Sequence, residues 1–196
     1  MSNRVCVSLQ PQSMEDLRDL LSRVKEHSPK LIEIRLDHLR TVSLKKIKET
    51  LLTDLEQCIL TCRPMREGGY YEGDERERLH FLEGVIKLRP GYVDIEVVAL
   101  REHRYLADEA RKNNVKIIAS CHDFKGTPEL QQLENLSREA LEYGDLAKVV
   151  SMAVGFNDNA VVLSLYKIFR EGRLIAFCMG EAGVLSRVLC TWLGAP

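Results

Sequence analysis

Short apolar runs rich in β-branched residues alternate along the chain with longer polar segments. Apolar runs of about four to eight residues with this composition are typical of buried strands. Seven such runs begin near Val5, Leu31, Cys58, Tyr92, Val115, Leu146 and Leu174. The intervals range from 23 residues (Tyr92 to Val115) to 34 residues (Cys58 to Tyr92), which leaves room for a helix in each. The pattern therefore predicts parallel strand–helix–strand units.

Four of the polar segments carry leucine, valine or isoleucine at helical spacing, which predicts four amphipathic helices. Their apolar positions are Leu17, Leu20, Leu21 and Val24; Leu79, Leu82, Val85 and Ile86; Leu130, Leu133, Leu136 and Leu141; and Val161, Leu165 and Ile168. Asp74-Glu75 predicts an acidic first turn for the second helix, and Thr127-Pro128 predicts the cap and first turn of the third. A further helix is expected to open at Gly183.

The sequence contains neither a GxGxxG loop nor a Walker-type phosphate loop, which weakens the case for a nucleotide-binding α/β fold. The remaining parallel architecture is the TIM-type (β/α) barrel. We find seven strand–helix units, and no room for an eighth remains before Pro196. We therefore predict a single domain over residues 1–196, a parallel (β/α) barrel that lacks the eighth unit and is short at its C-terminus. The unpaired edges of the first and seventh strands would favour association with a partner subunit.

Polar side chains collect where the predicted strands end, which is where a parallel barrel forms its active site. They are Glu33, Arg35 and Asp37 on the second strand, Arg63 at the end of the third, Asp94 and Glu96 on the fourth, His122 on the fifth and Lys148 on the sixth. Because side chains alternate faces along a strand, residues two apart share a face. A single charge of this kind is explained by an ordinary salt bridge. Charges on several neighbouring strand ends favour an active site.

Lys148 lies inside the apolar run Leu146-Ala147-Lys148-Val149-Val150. Burial lowers the pKa of a lysine towards the neutral amine, which can attack a ketone and form an imine. His122, at the end of the preceding strand, is a candidate proton-transfer group. Taken alone, Lys148 is better explained by a strand-end lysine whose ammonium group reaches solvent, and only the rest of the chain favours the imine.

The composition of the chain limits the classes of partner that we expect it to bind. The chain has 196 residues, with 28 Lys and Arg against 29 Asp and Glu, and a net charge of -1. This balance gives no electrostatic reason to expect nucleic acid or a membrane surface as partner. No apolar run approaches the ~20 residues of a membrane span. The N-terminal residues lack the apolar stretch of a signal peptide, and the six cysteines form no metal-binding spacing, so we expect a cytoplasmic protein without a metal site.

Several ordered motifs resemble the type I 3-dehydroquinate dehydratase family, the Schiff-base dehydratases of the shikimate pathway. The resemblance runs from about Val5 to the end of the chain. The motifs are Glu33-Ile34-Arg35-Leu36-Asp37-His38, Arg63-Pro64-Met65-Arg66-Glu67-Gly68-Gly69, Ser120-Cys121-His122-Asp123-Phe124 with Thr127-Pro128, Gly144-Asp145-Leu146-Ala147-Lys148, and Met179-Gly180 followed by Gly183-Val184-Leu185-Ser186-Arg187. Each motif is weak alone, but together and in this order they are specific.

The resemblance implies a (β/α)₈ barrel, often a homodimer, that converts 3-dehydroquinate to 3-dehydroshikimate by syn elimination of water. It implies no metal, nucleotide or other cofactor. By resemblance, Lys148 forms the imine, His122 transfers the proton, and Glu67 hydrogen-bonds and orients that histidine. Arg187 matches the arginine that binds the substrate carboxylate. The residues expected around the ring hydroxyls are Glu33, Arg35 and Arg63.

The resemblance is incomplete at the C-terminus, since family members continue past the serine–arginine pair into an eighth strand, a lid loop and a final helix. The lid carries a serine and a glutamine that have no counterpart here. Two other interpretations therefore stay open. One is a class I aldolase, which shares the strand-six lysine but needs a phosphate-binding loop. The other is a non-catalytic barrel, against which the retention of Lys148, His122, Glu67 and Arg187 argues.

Overall fold

The computed structural model describes residues 5–39, 43–170 and 172–196. Seven strands are present in these ranges, and each begins within one residue of its predicted position. They are β1 (Cys6–Leu9), β2 (Leu31–Arg35), β3 (Cys58–Thr61), β4 (Tyr92–Glu96), β5 (Lys116–Asp123), β6 (Leu146–Met152) and β7 (Leu174–Met179). The apolar runs thus locate the strands correctly.

Helices occupy the intervals between the strands. They are α1 (Met14–Lys25), α2 (Leu44–Leu51), α3 (Glu75–Lys87), α4 (Val97–Glu102), α5 (Tyr105–Asn113), α6 (Leu130–Tyr143), α7 (Asp158–Ser164) and α8 (Val184–Leu189). The acidic start predicted for α3 is confirmed, because Asp74 is its N-cap and accepts hydrogen bonds from the backbone N–H groups of Arg76 and Glu77. The helix expected after Gly183 is α8.

The described chain forms two compact units. The first contains the chain up to Ile95 together with Tyr105–Ile117. In it, β1 pairs with β2, β2 with β3 and β3 with β4, all in parallel. α1 packs against β1 and α2, and α3 packs against α5. On β2, Ile32 and Ile34 are buried whereas Glu33 and Arg35 on the opposite face are only partly buried. One face of the strand thus supplies core, and the other presents polar groups.

The second unit contains Glu96–Arg104 and the chain from Ile118 to Pro196. β5 pairs with β6 and β6 with β7, again in parallel. α6 packs against β6, whereas α7 and α8 pack against β7. Leu174, Ala176 and Cys178 of β7 are buried, and the residues between them are partly exposed. The prediction of a single domain over residues 1–196 stays a prediction.

The predicted cap of α6 is wrong. Thr127 does not cap the helix, whose N-cap is Glu129 and whose first helical residue is Leu130. The Thr127 hydroxyl instead donates to the carbonyl of Met152 at 3.0 Å and lies 3.0 Å from the Ser151 hydroxyl. The hydroxyl thus links the segment after β5 to the end of β6. Capping rules consider only neighbours along the chain, so they do not predict this long-range contact.

The helix predicted from Val161, Leu165 and Ile168 is shorter than its apolar spacing indicates. α7 ends at Ser164 and is followed by a 3-10 turn, Leu165–Lys167. The Ser164 hydroxyl donates to the carbonyl of Ala160 at 2.7 Å. Such back-bonding favours bending of a helix, in line with the tighter turn that follows.

The described segments contain no helix that is both long and apolar enough to cross a membrane.

Candidate active site

The polar residues of the first unit share one face of its sheet. The backbone register aligns Arg35 of β2 with Thr61 of β3, and Thr61 with Asp94 of β4. Aligned residues of neighbouring parallel strands point to the same face, and Glu33, two residues before Arg35, joins them. The Thr61 hydroxyl donates to Oε1 of Glu33 at 2.9 Å. Two of the predicted substrate-binding residues, Glu33 and Arg35, therefore lie on this face.

Arg63, the third predicted substrate-binding residue of this unit, lies two residues beyond the end of β3 and is buried. Its Nη2 donates to Oδ1 of Asp94 at 2.7 Å, and the Asp94 side chain is also buried. Two buried charges are tolerated only when they are paired, because each loses its hydration on burial. The carboxylate of Asp94 therefore holds the guanidinium of Arg63 in place.

Arg35 is held in a similar way. Its Nε donates to Oδ1 of Asp37 at 3.0 Å and its Nη2 donates to Oδ2 at 2.7 Å. Asp37 lies in the 3-10 turn Leu36–His38, beyond the end of the strand to which it was assigned from the sequence. Strand alternation therefore does not apply to Asp37, and the turn instead brings its carboxylate to the Arg35 guanidinium as a two-point ion pair.

Glu67 lies on a tight turn after β3. It is half-buried at the end of the 3-10 turn Met65–Glu67. The backbone then continues through Gly68 with a φ of 73°. At Gly69 an added Cβ would come within 1.9 Å of the Arg63 carbonyl oxygen. Glycine is favoured at position 68, because L residues disfavour a positive φ. At position 69 it is required, because a Cβ would collide with the backbone of Arg63. The sequence Glu-Gly-Gly thus fixes the backbone on which Glu67 stands.

Lys148 and His122 share one face of the second unit. The register aligns Lys148 of β6 with Ser120 of β5, and His122, two residues further along β5, with Val150 of β6. Residues two apart on a strand lie on one face, so the lysine and the histidine occupy neighbouring positions on adjacent strands. Both side chains are half-buried. An amine and an imidazole on one sheet face are the groups that imine formation and proton transfer require.

Arg187 is brought to the same face by β7. Phe177 of β7 is aligned with Val150, which is itself aligned with His122. The guanidinium carbon of Arg187, an exposed residue of α8, lies 5.3 Å from the centroid of the Phe177 ring. A planar cation over an aromatic ring is attracted by the ring quadrupole. The face therefore carries an amine, an imidazole and a guanidinium, which together could bind and transform a carboxylate-bearing ketone.

Three contributors were missed or incompletely predicted from the sequence. Thr61 as donor to Glu33 and Phe177 beneath Arg187 were not predicted, and Asp94 was predicted on the face but without its partner Arg63. Thr61 lies two residues before Arg63, so the period-two alternation of strand side chains could have predicted that it shares a face with Arg63. The stacking on Phe177 had no signal, because it depends on where α8 packs.

A cavity of about 850 Å³ in the first unit is lined in part by Asp37, the ion-pair partner of Arg35. Its lining includes Gln12, His38, Tyr70 and Tyr71, and none of the seven predicted site residues. The residues that line this cavity include no lysine and no arginine. The cavity therefore offers neither the amine nor the guanidinium that the proposed chemistry needs, and we do not assign the active site to it. Within the described ranges, no group of three or more His, Cys, Asp or Glu side chains is arranged to hold a metal ion.

The comparisons with known proteins agree on one family. The family described as type I 3-dehydroquinase matches residues 5–196. The 3-dehydroquinate dehydratase of Desulfotalea psychrophila is 33% identical over 200 residues, which cover 98% of this chain and 85% of the relative. That of Thermococcus gammatolerans is 35% identical over 177 residues, which cover 90% of this chain and 80% of the relative.

A solved structure confirms the predicted fold class. The crystal structure of type I 3-dehydroquinate dehydratase from Clostridium difficile matches with a TM-score of 0.87 and 24% identity, over 97% of this chain and 81% of its own. Together with the seven strands alternating with helices, this match supports the α/β barrel expected from the sequence.

Proposed function

The chain belongs to the type I 3-dehydroquinase family, and from this premise we propose that it removes water from 3-dehydroquinate through an imine on Lys148 to give 3-dehydroshikimate. The enzyme class expected from the sequence, a 3-dehydroquinate dehydratase of the shikimate pathway, is confirmed by the family match and by the curated relatives. The observation that carries the imine mechanism is the placement of Lys148 and His122 on adjacent strands and one face.

The proposed reaction begins with attack of the Lys148 amine on the substrate ketone. Loss of one water gives a protonated imine, which acidifies the neighbouring C–H bond. His122 removes that proton, and the electron pair moves into the imine to form an enamine. The enamine then expels the hydroxyl group, which takes the proton from the imidazolium and leaves as water. Hydrolysis of the product imine consumes one water and restores Lys148, so the net change is the loss of one water.

Glu67 is proposed to orient His122. A carboxylate that accepts the second ring N–H of an imidazole fixes its tautomer and stabilises the imidazolium. The support is the backbone on which Glu67 stands, a turn held by hydrogen bonds from the N–H groups of Glu67 and Gly69 to the carbonyl of Pro64, both 3.0 Å. A well-ordered backbone suits Glu67, because its proposed role is only to orient the imidazole of His122.

The guanidinium of Arg187 is proposed to bind the substrate carboxylate. Its planar fork can give two parallel hydrogen bonds to a carboxylate, which a lysine cannot do. Glu33, Arg35 and Arg63 are proposed to bind the ring hydroxyls. Arg35 uses Nε and Nη2 in its pair with Asp37, so its Nη1 end is not part of that pair.

Direct turnover tests the proposed function. The purified protein is incubated with 3-dehydroquinate, and the conjugated enone of the product is followed in the ultraviolet. We expect product to accumulate without added metal or nucleotide, and with a chelator present. No product, or cleavage of a carbon–carbon bond in place of dehydration, would contradict the proposal and would favour a non-catalytic barrel or an aldolase respectively.

Arg187→Ala is expected to weaken substrate binding more than it slows the chemistry. The carboxylate is remote from the bonds that break, so the contact exists in ground and transition states alike. Losing a charged hydrogen-bonded partner costs about 2–5 kcal/mol, so KM should rise by about 30-fold or more. Steady-state kinetics measure the change.

Arg138→Ala is the matched control, because Arg138 also lies over a phenylalanine ring, Phe169, at 5.4 Å. It stands on α6 and has no assigned role in the site, so its KM should match the wild type. A KM in Arg187→Ala as low as in this control would place the carboxylate elsewhere, at Arg35 or Arg63.

The protein is further proposed to form a homodimer. The support is an apolar surface on and after α8, where Val188 is 57% exposed and Trp192 is 79% exposed, with Val184 and Leu193 also exposed. Contiguous exposed apolar surface is typical of association sites, because burying it gains about 25 cal/mol per Å².

Sedimentation tests the dimer. We expect the wild type to shift from monomer to dimer with concentration and Val188→Glu to remain monomeric, because a charge in an apolar interface is left without a partner. Leu52→Glu is the control, since Leu52 is 68% exposed after α2 in the first unit. A monomeric wild type at all concentrations, or equal effects of the two substitutions, would contradict the proposal.

A further inference from the structure

The carboxylate of Asp37 is hydrogen-bonded at both of its oxygens. Its side chain is fully buried, and it accepts four hydrogen bonds from three separate segments. Oδ1 receives Arg35 Nε at 3.0 Å and the backbone N–H of Arg63 at 3.2 Å. Oδ2 receives Arg35 Nη2 at 2.7 Å and the backbone N–H of Tyr70 at 3.0 Å. Each oxygen thus takes one hydrogen bond from Arg35 and one from the backbone.

We infer that Asp37 is a positioning residue that fixes the guanidinium of Arg35 against the end of β3 and against the turn that carries Glu67. The inference rests on the proposed function, in which Arg35 binds a ring hydroxyl. Asp37 itself is assigned no contact with substrate. It acts through Arg35, whose Nη1 end is the part of the fork left outside the ion pair.

The geometry restricts Arg35 far more than a surface ion pair would. A one-point contact lets a guanidinium rotate, whereas the two-point contact fixes the plane of the fork. The backbone N–H groups of Arg63 and Tyr70 fix the carboxylate in turn, so the arginine is tied to two backbone segments through one residue. Preorganisation of this kind removes the need to order a flexible side chain when substrate binds.

An ionised carboxylate is the side chain that this position needs. All four groups that hydrogen-bond to it are N–H donors, contributed by three residues, and a carboxylate offers only acceptors. An amide would direct its own N–H groups at two of these donors. Burial alone would raise the pKa of Asp37. The hydrogen bonds and charge of Arg35, with the N–H groups of Arg63 and Tyr70, outweigh burial and lower that pKa.

A double-mutant cycle between Asp37 and Arg35 tests the inference. Kinetics with 3-dehydroquinate are measured for the wild type, Asp37→Asn, Arg35→Ala and the double variant. We expect Asp37→Asn to lower kcat/KM by about 30-fold, mainly through KM, because it releases a group that binds in ground and transition states alike. The double variant should be no more than about threefold worse than Arg35→Ala, because Asp37 has nothing left to position.

A merely structural Asp37 would give a different result. Its loss would then multiply with that of Arg35→Ala, and independent effects of that kind would overturn the inference. Glu139→Gln is the matched control, because Glu139 also accepts two hydrogen bonds from one arginine, Arg101, but on the surface and outside the site. It should keep wild-type kinetics.

Arg35→Lys covers the case in which Asp37→Asn does not fold. Lysine keeps a positive charge against Asp37 but cannot span both of its oxygens. The inference expects a loss in kcat/KM of about tenfold or more, and near wild-type kinetics would overturn it. Failure of the proposed function is distinguishable from failure of this inference. If the proposed function is wrong, the wild type itself forms no product from 3-dehydroquinate.

Discussion

Lys148→Ala is expected to leave no measurable turnover of 3-dehydroquinate. Without the amine, no imine forms, and the C–H bond next to the ketone loses the electron sink that acidifies it. We expect a loss of more than about 10⁴-fold in kcat, because every later step depends on the covalent intermediate. Lys148→Arg should be equally inactive, since a guanidinium keeps the charge but stays protonated and is not a nucleophile. The ultraviolet assay for the enone product measures both.

Lys116→Ala is the matched control for this prediction. Lys116 is also a strand lysine, at the start of β5, but its ammonium lies over the ring of Tyr92 at 5.4 Å and at the opposite end of the strand from His122. Turnover in this variant should equal that of the wild type. Residual turnover of Lys148→Ala within about tenfold of the wild type would contradict an obligatory imine on this lysine.

His122→Ala is expected to separate imine formation from elimination. The amine of Lys148 is still present, so borohydride should still trap the substrate on the protein. Turnover should fall by about 10²-fold or more, the usual contribution of a positioned acid–base group. Glu67→Gln should cost less and should change the pH profile of kcat, because its proposed role is to orient the imidazole and to stabilise its charged form.

His80→Ala is the control, since His80 is an exposed histidine on α3 with no assigned role in the site. Near-normal turnover in His122→Ala would assign the proton transfer to another residue. Loss of trapping together with loss of turnover would mean that His122 is needed for imine formation itself, which the proposed order of steps does not allow.

The strands and the faces of the site residues were predictable because they depend on local pattern. The apolar runs located all seven strands, and period two placed Glu33 with Arg35 on one face of β2 and His122 with Ser120 on one face of β5. These features follow from the alternation of side chains, which any strand obeys. Which strands lie beside each other followed from parallel strand–helix connectivity.

The ion pairs of the site were not predictable, because they depend on register and on turns. Arg63 pairs with Asp94 of β4, and Arg35 pairs with Asp37 in the following turn. Period-two alternation gives the face of a strand residue but not its ion-pair partner. The choice is made by the strand alignment Thr61↔Asp94 and by the turn Leu36–His38. The hydroxyl of Thr127 was misassigned for a similar reason, since its partners on β6 lie more than twenty residues away.

The roles of the individual residues came from the resemblance, and the structure adds physical support for some of them. The sequence pattern alone left Lys148 open to a simple surface role. The structure places it beside His122 on one face and brings Arg187 to that face through Phe177. For Asp37 the structure supplies the role itself, because the motif that contains this residue did not predict its four hydrogen bonds.

Trapping of the imine by borohydride tests the central claim most directly. The protein is incubated with 3-dehydroquinate, reduced, weighed intact and then digested, and the modified peptide is sequenced by mass spectrometry. Reduction converts an imine to a stable amine, so the proposed mechanism predicts one label per chain, on Lys148. The label should be absent without substrate and absent in Lys148→Ala. A label on another lysine, or no label in a protein that still forms product, would contradict the mechanism.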